Sequence, residues 1–510
     1  MMIASADNVG KSETVAELTE NLMEFIRCSV KNGSNLDEVE RGAFKRVLGI
    51  GHAALELFLK AQGDGDMGKT VQTANGTILE RSEKVMPRAL RTIFGEHCFE
   101  AFTYARGPKE KIELRPIDAR LNLPEGKASY LLQEFTQIFC IEKAFAIGAS
   151  RFETMFHQKL SVDVLEHINR DMGKQAEQFL DQLPKPPAKK EGELLVATAD
   201  GKGVPLVKAD AQAVPVFDEK ERPGNRRMAT LGSVYSVNRH VRTPEQILAA
   251  LFRDKTVTQP EDRPEPCFKH YRGYFAYAEP GEEPIPGTRL TWAWLAQQVD
   301  TRHRAGQPVI RLMDGQSSLW DAADWCMGEF TDKLRETGET NLIVDILDII
   351  HVSSYVWRAA KAFHSHKEHQ EAFAQDRLLR ILRGEVSGVV KGLRRMATEH
   401  GLAGTKLKEI TTVCNYFDNN AHRMRYDEYL KAGYPIATGV IEGACRHIIK
   451  DRMEQGGMRW RLTGAEAMLN VRAVCASSAW EEFTSWRQLE EAQRVHPHRK
   501  LLAEYRGFKA

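Results

Sequence analysis

Three acidic residues lie far apart in the chain, in surroundings that suit metal-dependent chemistry. Asp200 follows the apolar run 194–199, and Asp314 follows the apolar run 308–313. Both runs have the length of buried strands, so each strand is expected to end in a carboxylate. Glu442 lies in a segment, 435–454, whose apolar residues repeat at helical spacing. Because these acids are more than 100 residues apart in sequence, only folding can bring them together.

Carboxylate oxygens are the ligands that Mg²⁺ prefers. Two such ions about 4 Å apart can activate a water or a 3′-hydroxyl and stabilise the leaving oxygen in phosphodiester transfer. We therefore expect Asp200, Asp314 and Glu442 to hold two Mg²⁺ ions, for which Mn²⁺ should substitute. The alternative is two ordinary turn acids and a solvated helix face, on which Glu442 pairs with Arg446 at i+4 and Lys450 at i+8.

The elements that must position these acids form an α/β core. Strand-like and helical patterns mix over 191–353, which we take as the first part of the core. Residues 354–432 are helical throughout and interrupt it. Residues 433–510 then complete the core with the Glu442 helix and add C-terminal helices.

The chain before residue 190 predicts a separate region. Residues 1–88 are expected to be a helical module, and 89–183 a small sheet followed by a segment resembling a helix-turn-helix. In that segment Ser161 would cap a second helix that presents His167, Arg170 and Lys174 to a major groove. A plain helical hairpin inside a bundle is the alternative. The Pro- and Lys-rich stretch 184–190 predicts a linker and a domain boundary.

Composition limits the class of partner and the compartment. With 71 Lys and Arg against 70 Asp and Glu, the net charge is +1, so any nucleic-acid surface must be a local basic patch. The sequence has no apolar run of membrane-spanning length and no secretory signal pattern, which favours the cytoplasm. The eight cysteines include no C-x-x-C pair, which suits reduced thiols.

Local basic patches do occur, and the strongest one follows Glu442. Cations there would contact DNA phosphates, and an indole would stack on an unpaired base. We predict DNA contacts from Arg446, Lys450, Arg452, Arg459, Trp460 and Arg461, and weaker ones from Lys202, Arg226 and Arg227. A solvated face is the alternative. Two further indoles, Trp320 and Trp325, are expected in the core.

Several motifs resemble those of one known family. They are TADGKGVP at 198–205, RPGNRRM at 222–228, VYSVNRHVRTP at 234–244, MDGQ at 313–316 and RMRYDEYLKAGYPIATGVIEGACR at 423–446. Together they resemble bacterial insertion-sequence transposases of the Kra-four group, over roughly residues 90–480. This resemblance implies the DDE class, an RNase H-like catalytic core, and Asp200, Asp314 and Glu442 as the metal-binding triad.

A further match is Asp348-x-x-His351, which looks like the signature that Mutator-like and related transposases carry after their second aspartate. Those families insert an all-helical domain between that aspartate and the glutamate, and 354–432 fits this place. The resemblance implies that Asp348 and His351 support the site, for instance through a contact of His351 to the scissile phosphate; a packed histidine at a helix start is the alternative. We also expect Arg446 to support the site.

The expected function is that of a bacterial DDE transposase. It would bind the terminal inverted repeats of its element as double-stranded DNA, cleave them with Mg²⁺ and join the 3′ ends to target DNA. Pairing two ends implies a homodimer or higher oligomer, in the cytoplasm and at the nucleoid during transposition. Two alternatives are a domesticated DNA-binding protein and a metal-dependent DNA endonuclease with the same fold.

Overall fold

The computed structural model describes residues 13–217, 224–258, 263–279, 281–505 and 507. The chain forms two compact units, Met1–Ile168 with Glu481–Ala510, and Asn169–Trp480. Residues 1–12, at the start of the helical module expected over 1–88, lie outside the described residues. So do residues 222–223 of the RPGNRRM motif. In the part of the chain that the structure describes, every helix is too short or too polar to cross a membrane.

The helices of the described residues include long, capped examples and single turns. They are α1 (Val15–Asn32), α2 (Leu36–Lys60), α3 (Pro116–Leu121), α4 (Tyr130–Glu142), α5 (Phe145–Phe156), α6 (Val162–Asp181), α7 (Lys208–Ala213), α8 (Pro244–Phe252), α9 (Gly287–Arg302), α10 (Ser317–Cys326), α11 (Gly328–Glu336), α12 (Ile349–Phe363), α13 (Lys367–Leu382), α14 (Val386–Glu399), α15 (Gly404–Asn420), α16 (Tyr426–Lys431), α17 (Gly439–Ala444), α18 (Asp451–Met453), α19 (Leu462–Ala476) and α20 (Trp480–Val495). Between α17 and α18 the helix continues as a π-helical segment, Cys445–Lys450.

The strands fall into three sheets. They are β1 (Thr70–Gln72), β2 (Ile78–Arg81), β3 (Met86–Thr92), β4 (Gly95–Ala101), β5 (Tyr104–Ala105), β6 (Ile112–Leu114), β7 (Leu194–Pro205), β8 (Arg226–Val237), β9 (Cys267–Phe275), β10 (Val309–Met313) and β11 (Ile343–Leu347). Among the described residues, β1-β2-β5-β6 form one sheet, β3-β4 a hairpin, and β11-β10-β7-β8-β9 the large sheet.

The first unit begins helical, as expected, but its sheet starts at Thr70 rather than near residue 89. Strands β1 and β2 are three and four residues long, which is too short for an alternating sequence pattern to predict them. They join in a hairpin at Gly76, whose φ is +83°. The break between α5 and α6 agrees with the prediction. His157 ends α5 in the left-handed region, and the amide of Val164 donates to Ser161 Oγ at 3.3 Å.

The division between the units differs from the predicted boundaries. It falls between Ile168 and Asn169, inside α6, rather than at 184–190, and the chain from Glu481 onward belongs to the first unit rather than to the core. The physical reason is that the second half of α6 packs on the large sheet's unit. There the backbone carbonyl of Leu180 accepts from Trp294 Nε1 at 3.2 Å, and Gly173 allows close approach to Ala467.

The second unit is a mixed α/β structure built on the large sheet. Strand β10 pairs in parallel with both β7 and β11, whereas β7–β8 and β8–β9 are antiparallel. The central strands are buried on both faces, since all five residues of β10 and the first six of β7 are buried. Strand β9 was absent from the sequence prediction.

The stretch 354–432 is helical, as predicted, and forms α12 to α16, which we call the insertion; its first helix begins at Ile349, five residues before the expected boundary. Its core is continuous with that of the sheet. Leu312 of β10 and Ile346 of β11 belong to the same buried cluster as Leu378 of α13 and Val389 of α14. The sheet and the helices therefore share one hydrophobic core.

Candidate active site

Asp200 lies within a strand rather than at the end of one. Strand β7 continues to Pro205 because β8 pairs with it along its whole length, with Asp200 opposite Leu231. Pairing with β10 on the other edge stops at Ala197, so the edge beside Asp200 is open. Asp200 is therefore half-buried, and its Oδ1 accepts a hydrogen bond from the amide of Gly201 at 2.7 Å.

Asp314 follows β10 directly, as predicted. Its Oδ1 accepts from the amide of Gln316 at 3.0 Å, which closes a turn after the strand. Gly315, inside this turn, faces the ring of Tyr416 so closely that an added Cβ would lie 2.3 Å from Tyr416 Cε2. Tyr416 itself stacks on Tyr355, with ring centroids 3.7 Å apart. Helices of the insertion thus support the backbone beside Asp314.

Asp348 follows β11 and caps α12. Its carboxylate is fully buried and accepts from the amides of Ile350 at 3.2 Å and His351 at 3.1 Å. It also receives the side chain of His351, Nδ1 to Oδ2 at 2.9 Å, and the amide of Thr438 at 3.0 Å. The other ring nitrogen of His351 lies 4.0 Å from Asp314 Oδ2. The D-x-x-H pair therefore connects the two strand ends.

Glu442 lies on α17, half-buried, and its Oε1 accepts from the hydroxyl of Thr438 at 3.2 Å. The predicted stripe of Glu442, Arg446 and Lys450 does not form ion pairs in the described residues. The π-helical segment that begins at Cys445 breaks the 3.6-residue period, and Arg446 instead lies 3.8 Å from Asp451.

These groups are close enough for their charges to act on one another. Burial raises the pKa of Asp200, and the charge of Asp314 raises it further, whereas Gly201 and His351 lower it. Burial also raises the pKa of Glu442, and the charges of Asp348 and Asp200 add to this rise. The hydrogen bond to Asp348 raises the pKa of His351 to about 9, and the charges of Asp314 and Glu442 contribute. The raised pKa favours the imidazolium form of His351 at neutral pH.

One set of residues in the described part of the chain has ligand atoms close enough together to share a metal ion. Ligand atoms of Asp348, His351 and Glu442 lie within 4.8 Å of one another. Asp348 is poorly suited, however, because both its oxygens already accept two hydrogen bonds each. Asp200, Asp314 and Glu442 are not found at that spacing as a set of three. Burial and the charges of neighbouring carboxylates raise the pKa of Asp200 and of Glu442. All three acids offer carboxylate oxygens, the ligand type that hard divalent cations prefer.

A cavity of about 740 Å³ opens beside the acids, lined by Gly201 next to Asp200 and by Gln316 to Ser318 after Asp314. Its wall includes Trp325, which is 64% exposed and carries the guanidinium of Arg289 at 3.3 Å from its ring centroid. The expectation that Trp325 lies in the core is wrong, because it faces this cavity, whereas Trp320 is buried as expected.

Two members of the predicted basic cluster cannot reach DNA in this conformation. Trp460 is 7% exposed and donates from Nε1 to the carbonyl of Met453 at 3.1 Å, so it offers no stacking face. Arg452 is 1% exposed and lies over the Trp460 ring. Both are held inward because the backbone of Trp460 pairs with the end of β7, at Pro205 and Val207.

The remaining predicted cations are at the surface to different degrees. Arg446, Lys450, Arg459 and Arg461 are exposed, as is Lys174 on α6, while Lys202, Arg227 and Arg170 are partly buried. Arg226 is exposed and pairs with Glu454 at 2.5 Å, which neutralises part of its charge. His167, on the same helix as Lys174, is exposed.

Comparison with known proteins adds no assignment to this geometry. A scan against protein-family models gives no match, and a search of the curated proteins likewise gives none.

Proposed function

We propose that this chain is a metal-dependent DNA phosphoryl transferase, a DDE transposase similar to the bacterial insertion-sequence enzymes whose motifs it resembles. The observation that carries the proposal is the convergence of Asp200, Asp314 and Glu442 around His351, from three segments far apart in sequence. A mixed sheet with flanking helices and a helical insertion is also the architecture expected of an RNase H-like core in this class.

In this proposal Asp200, Asp314 and Glu442 would hold Mg²⁺. When bound, the metal would supply activation of the attacking water or 3′-hydroxyl and charge stabilisation of the leaving oxygen. Asp348 positions His351 through the Nδ1 hydrogen bond, and the imidazolium directs its Nε2 proton toward the acids. That cation would attract the scissile phosphate and offset the excess negative charge of the site.

The surroundings of the acids also suit DNA. Arg446, Lys450, Arg459 and Arg461 are exposed on and after the Glu442 helix and would contact phosphates. The cavity beside Asp200 and Asp314 offers the exposed Trp325 face to an unpaired base, the role that the sequence had suggested for Trp460. Binding two element ends at once would require a dimer or higher oligomer.

The direct test is cleavage and joining of labelled duplex DNA that carries the sequences flanking this gene, with Mg²⁺ or Mn²⁺. Wild type is compared with Asp200→Asn, Asp314→Asn and Glu442→Gln, which remove charge and nearly keep shape. Asp321→Asn is a matched control, because Asp321 lines the same cavity beyond the carboxylate cluster. DNA binding in EDTA is measured in parallel.

We expect all three site variants to bind DNA and to lose cleavage by about a thousandfold or more, with the control active. Joined 3′ ends would identify a transposase, and cleavage without joining would identify an endonuclease. Wild type that binds DNA and never cuts it would contradict the enzyme proposal and favour a domesticated DNA-binding protein.

A further inference from the structure

A second cavity, of about 570 Å³, lies in the large sheet's unit beside the helix that carries Glu442. Its lining comes from residues 235–242 at the end of β8, residues 263–271 leading into β9, and residues 433–448. The first and third segments overlap two of the sequence motifs given above, 234–244 and 423–446, and the side chains that line the cavity do not include Asp200, Asp314 or Glu442. Their meeting around one cavity indicates a second site.

The cavity is basic. Arg242, Arg263, Lys269, His240 and His447 line it, and no Asp or Glu does so among the described residues. Aromatic and proline side chains, such as Tyr235 and Pro435, form much of the remaining wall. A concave surface with several cations and no carboxylate attracts an anion, and it repels the cations that occupy the acidic site.

Arg242 is the cation that the surrounding protein compensates least. Its Nε donates to the carbonyl of His240 at 2.9 Å and its Nη2 to the carbonyl of Tyr434, but the described residues offer it no carboxylate. Burial, and then the charge of Arg263, lowers the pKa of Arg242 to about 10. A partly buried cation without a counter-ion is unfavourable, so an anion bound here would stabilise Arg242.

His240 adds a second unpaired group. Its Nε2 is buried and has no hydrogen-bond partner among the described residues. Its backbone is fixed by the amide-to-carbonyl bond to Gly433 at 2.9 Å, where Gly433 takes a φ of +73° and an added Cβ would lie 2.8 Å from the His240 amide nitrogen. The backbone of His240 is thus fixed, and the hydrogen bonds of Arg242 orient its guanidinium, before any ligand arrives.

We propose that this pocket binds a phosphate group, through Arg242, Arg263 and Lys269 with His240 as a further donor. Phosphate fits because it is a compact anion with several acceptor oxygens, which guanidinium groups bind with two parallel hydrogen bonds. The group could belong to a DNA backbone or to a free polyphosphate. The inference does not depend on metal binding at the acidic site.

The test uses the full chain in EDTA, so that the acidic site contributes neither metal nor cleavage. Calorimetry measures binding of inorganic pyrophosphate, and fluorescence anisotropy measures binding of duplex DNA over a range of salt concentrations. The pocket variant Arg263→Gln/Lys269→Gln removes two exposed cations and leaves Arg242, which supports the backbone, unchanged. The matched control Lys406→Gln/Lys408→Gln removes two exposed cations from α15. Circular dichroism verifies that both variants fold.

We expect the pocket variant to bind pyrophosphate at least about tenfold more weakly than wild type and the control to be unchanged. If DNA binding also weakens, with a salt slope smaller by up to about 2, the natural ligand is a backbone phosphate. If DNA binding is unchanged, the ligand is a free polyphosphate. The proposal is overturned if wild type binds no pyrophosphate, or if both variants weaken its binding equally.

Discussion

The amide of Thr438 donates a hydrogen bond to the buried carboxylate of Asp348, 3.0 Å away and 90 residues earlier in the chain. Thr438 also donates through its hydroxyl to Glu442. Asp348 therefore fixes the backbone before the Glu442 helix while it orients His351 on α12. Both oxygens of the Asp348 carboxylate are occupied by hydrogen bonds, and they connect the start of α12 to the backbone just before α17.

Removing that carboxylate should destabilise the protein. Asp348→Ala leaves the amides of Ile350, His351 and Thr438 without their partner, so we expect a loss of about 3 kcal/mol in the free energy of unfolding. Urea unfolding measures this loss. Asp332→Ala, which removes only an exposed ion pair with Arg335, should change it by less than about 0.5 kcal/mol. Equal effects of the two substitutions would show that Asp348 is not an anchor.

The contact between Gly315 and Tyr416 predicts coupling between the site and the insertion. Gly315→Ala forces its Cβ against the Tyr416 ring, and we expect about 1–3 kcal/mol of destabilisation. Tyr416→Ala removes the obstacle, so the double variant should be more stable than the sum of the single effects predicts. Gly392→Ala, where an added Cβ meets nothing within 4 Å, is the control and should be neutral or slightly stabilising. Strict additivity in urea unfolding would contradict the contact.

The exposed face of Trp325 predicts a preference for DNA with unpaired bases. Trp325→Ala should weaken binding of single-stranded or forked DNA by about 1–3 kcal/mol and leave fully paired duplex binding nearly unchanged. Trp325→Phe keeps an aromatic face and should restore most of the loss. Anisotropy with both kinds of DNA, in EDTA, measures the difference. An equal loss for paired and unpaired DNA would mean that the indole does not stack on a base.

Glu466 on α19 predicts a pH-dependent stability. Burial, and then the charge of Glu177, raises the pKa of Glu466 to about 7 from 4.5. The folded state thus binds this proton more tightly than the unfolded chain, so stability falls as pH rises from about 4.5 to about 7. Glu466→Gln should stabilise the protein at pH 8, by on the order of 1–2 kcal/mol, and have little effect near pH 4.

Unfolding at a series of pH values measures this effect, with the exposed Glu336→Gln as the control. A Glu466→Gln effect that is the same at low and high pH would mean that Glu466 does not titrate with a raised pKa. A stabilisation confined to acid pH would reverse the expected sign.

The sequence predicted those features that depend on long, regular patterns. The apolar run before Asp314 and the three-and-four spacing over 354–432 appear as β10 and as the insertion helices. Asp200 shows the limit of such patterns. An acid followed by Gly201 reads as a strand end, but the pairing of β8 carries β7 on to Pro205. Pairing between strands is a tertiary property, and a single segment does not record it.

The sequence pattern also did not predict which tryptophan side chains are buried. Trp460 stands between Arg459 and Arg461, and its indole turns inward where its backbone pairs with the end of β7. Trp325 follows Ala322 and Ala323 closely in the sequence and is nevertheless 64% exposed. Strand β9 was missed although Cys267–Phe275 contains five aromatic or histidine side chains that fit a strand. The composition of β9 was therefore enough to predict a strand, whereas the orientation of the two indoles depends on tertiary contacts that the sequence pattern does not show.

The continuous core of sheet and helices has a consequence for how this chain can change over time. Because Leu312 and Ile346 belong to the same buried cluster as Leu378 and Val389, removing the insertion would also remove part of the core that covers the sheet. Excising 354–432 would cut α12 after its first turn and expose the inner face of the strands that carry the acids. During evolution the outer loops of the insertion can therefore change in length, whereas the helix residues that pack on the sheet must change together with the sheet residues they contact.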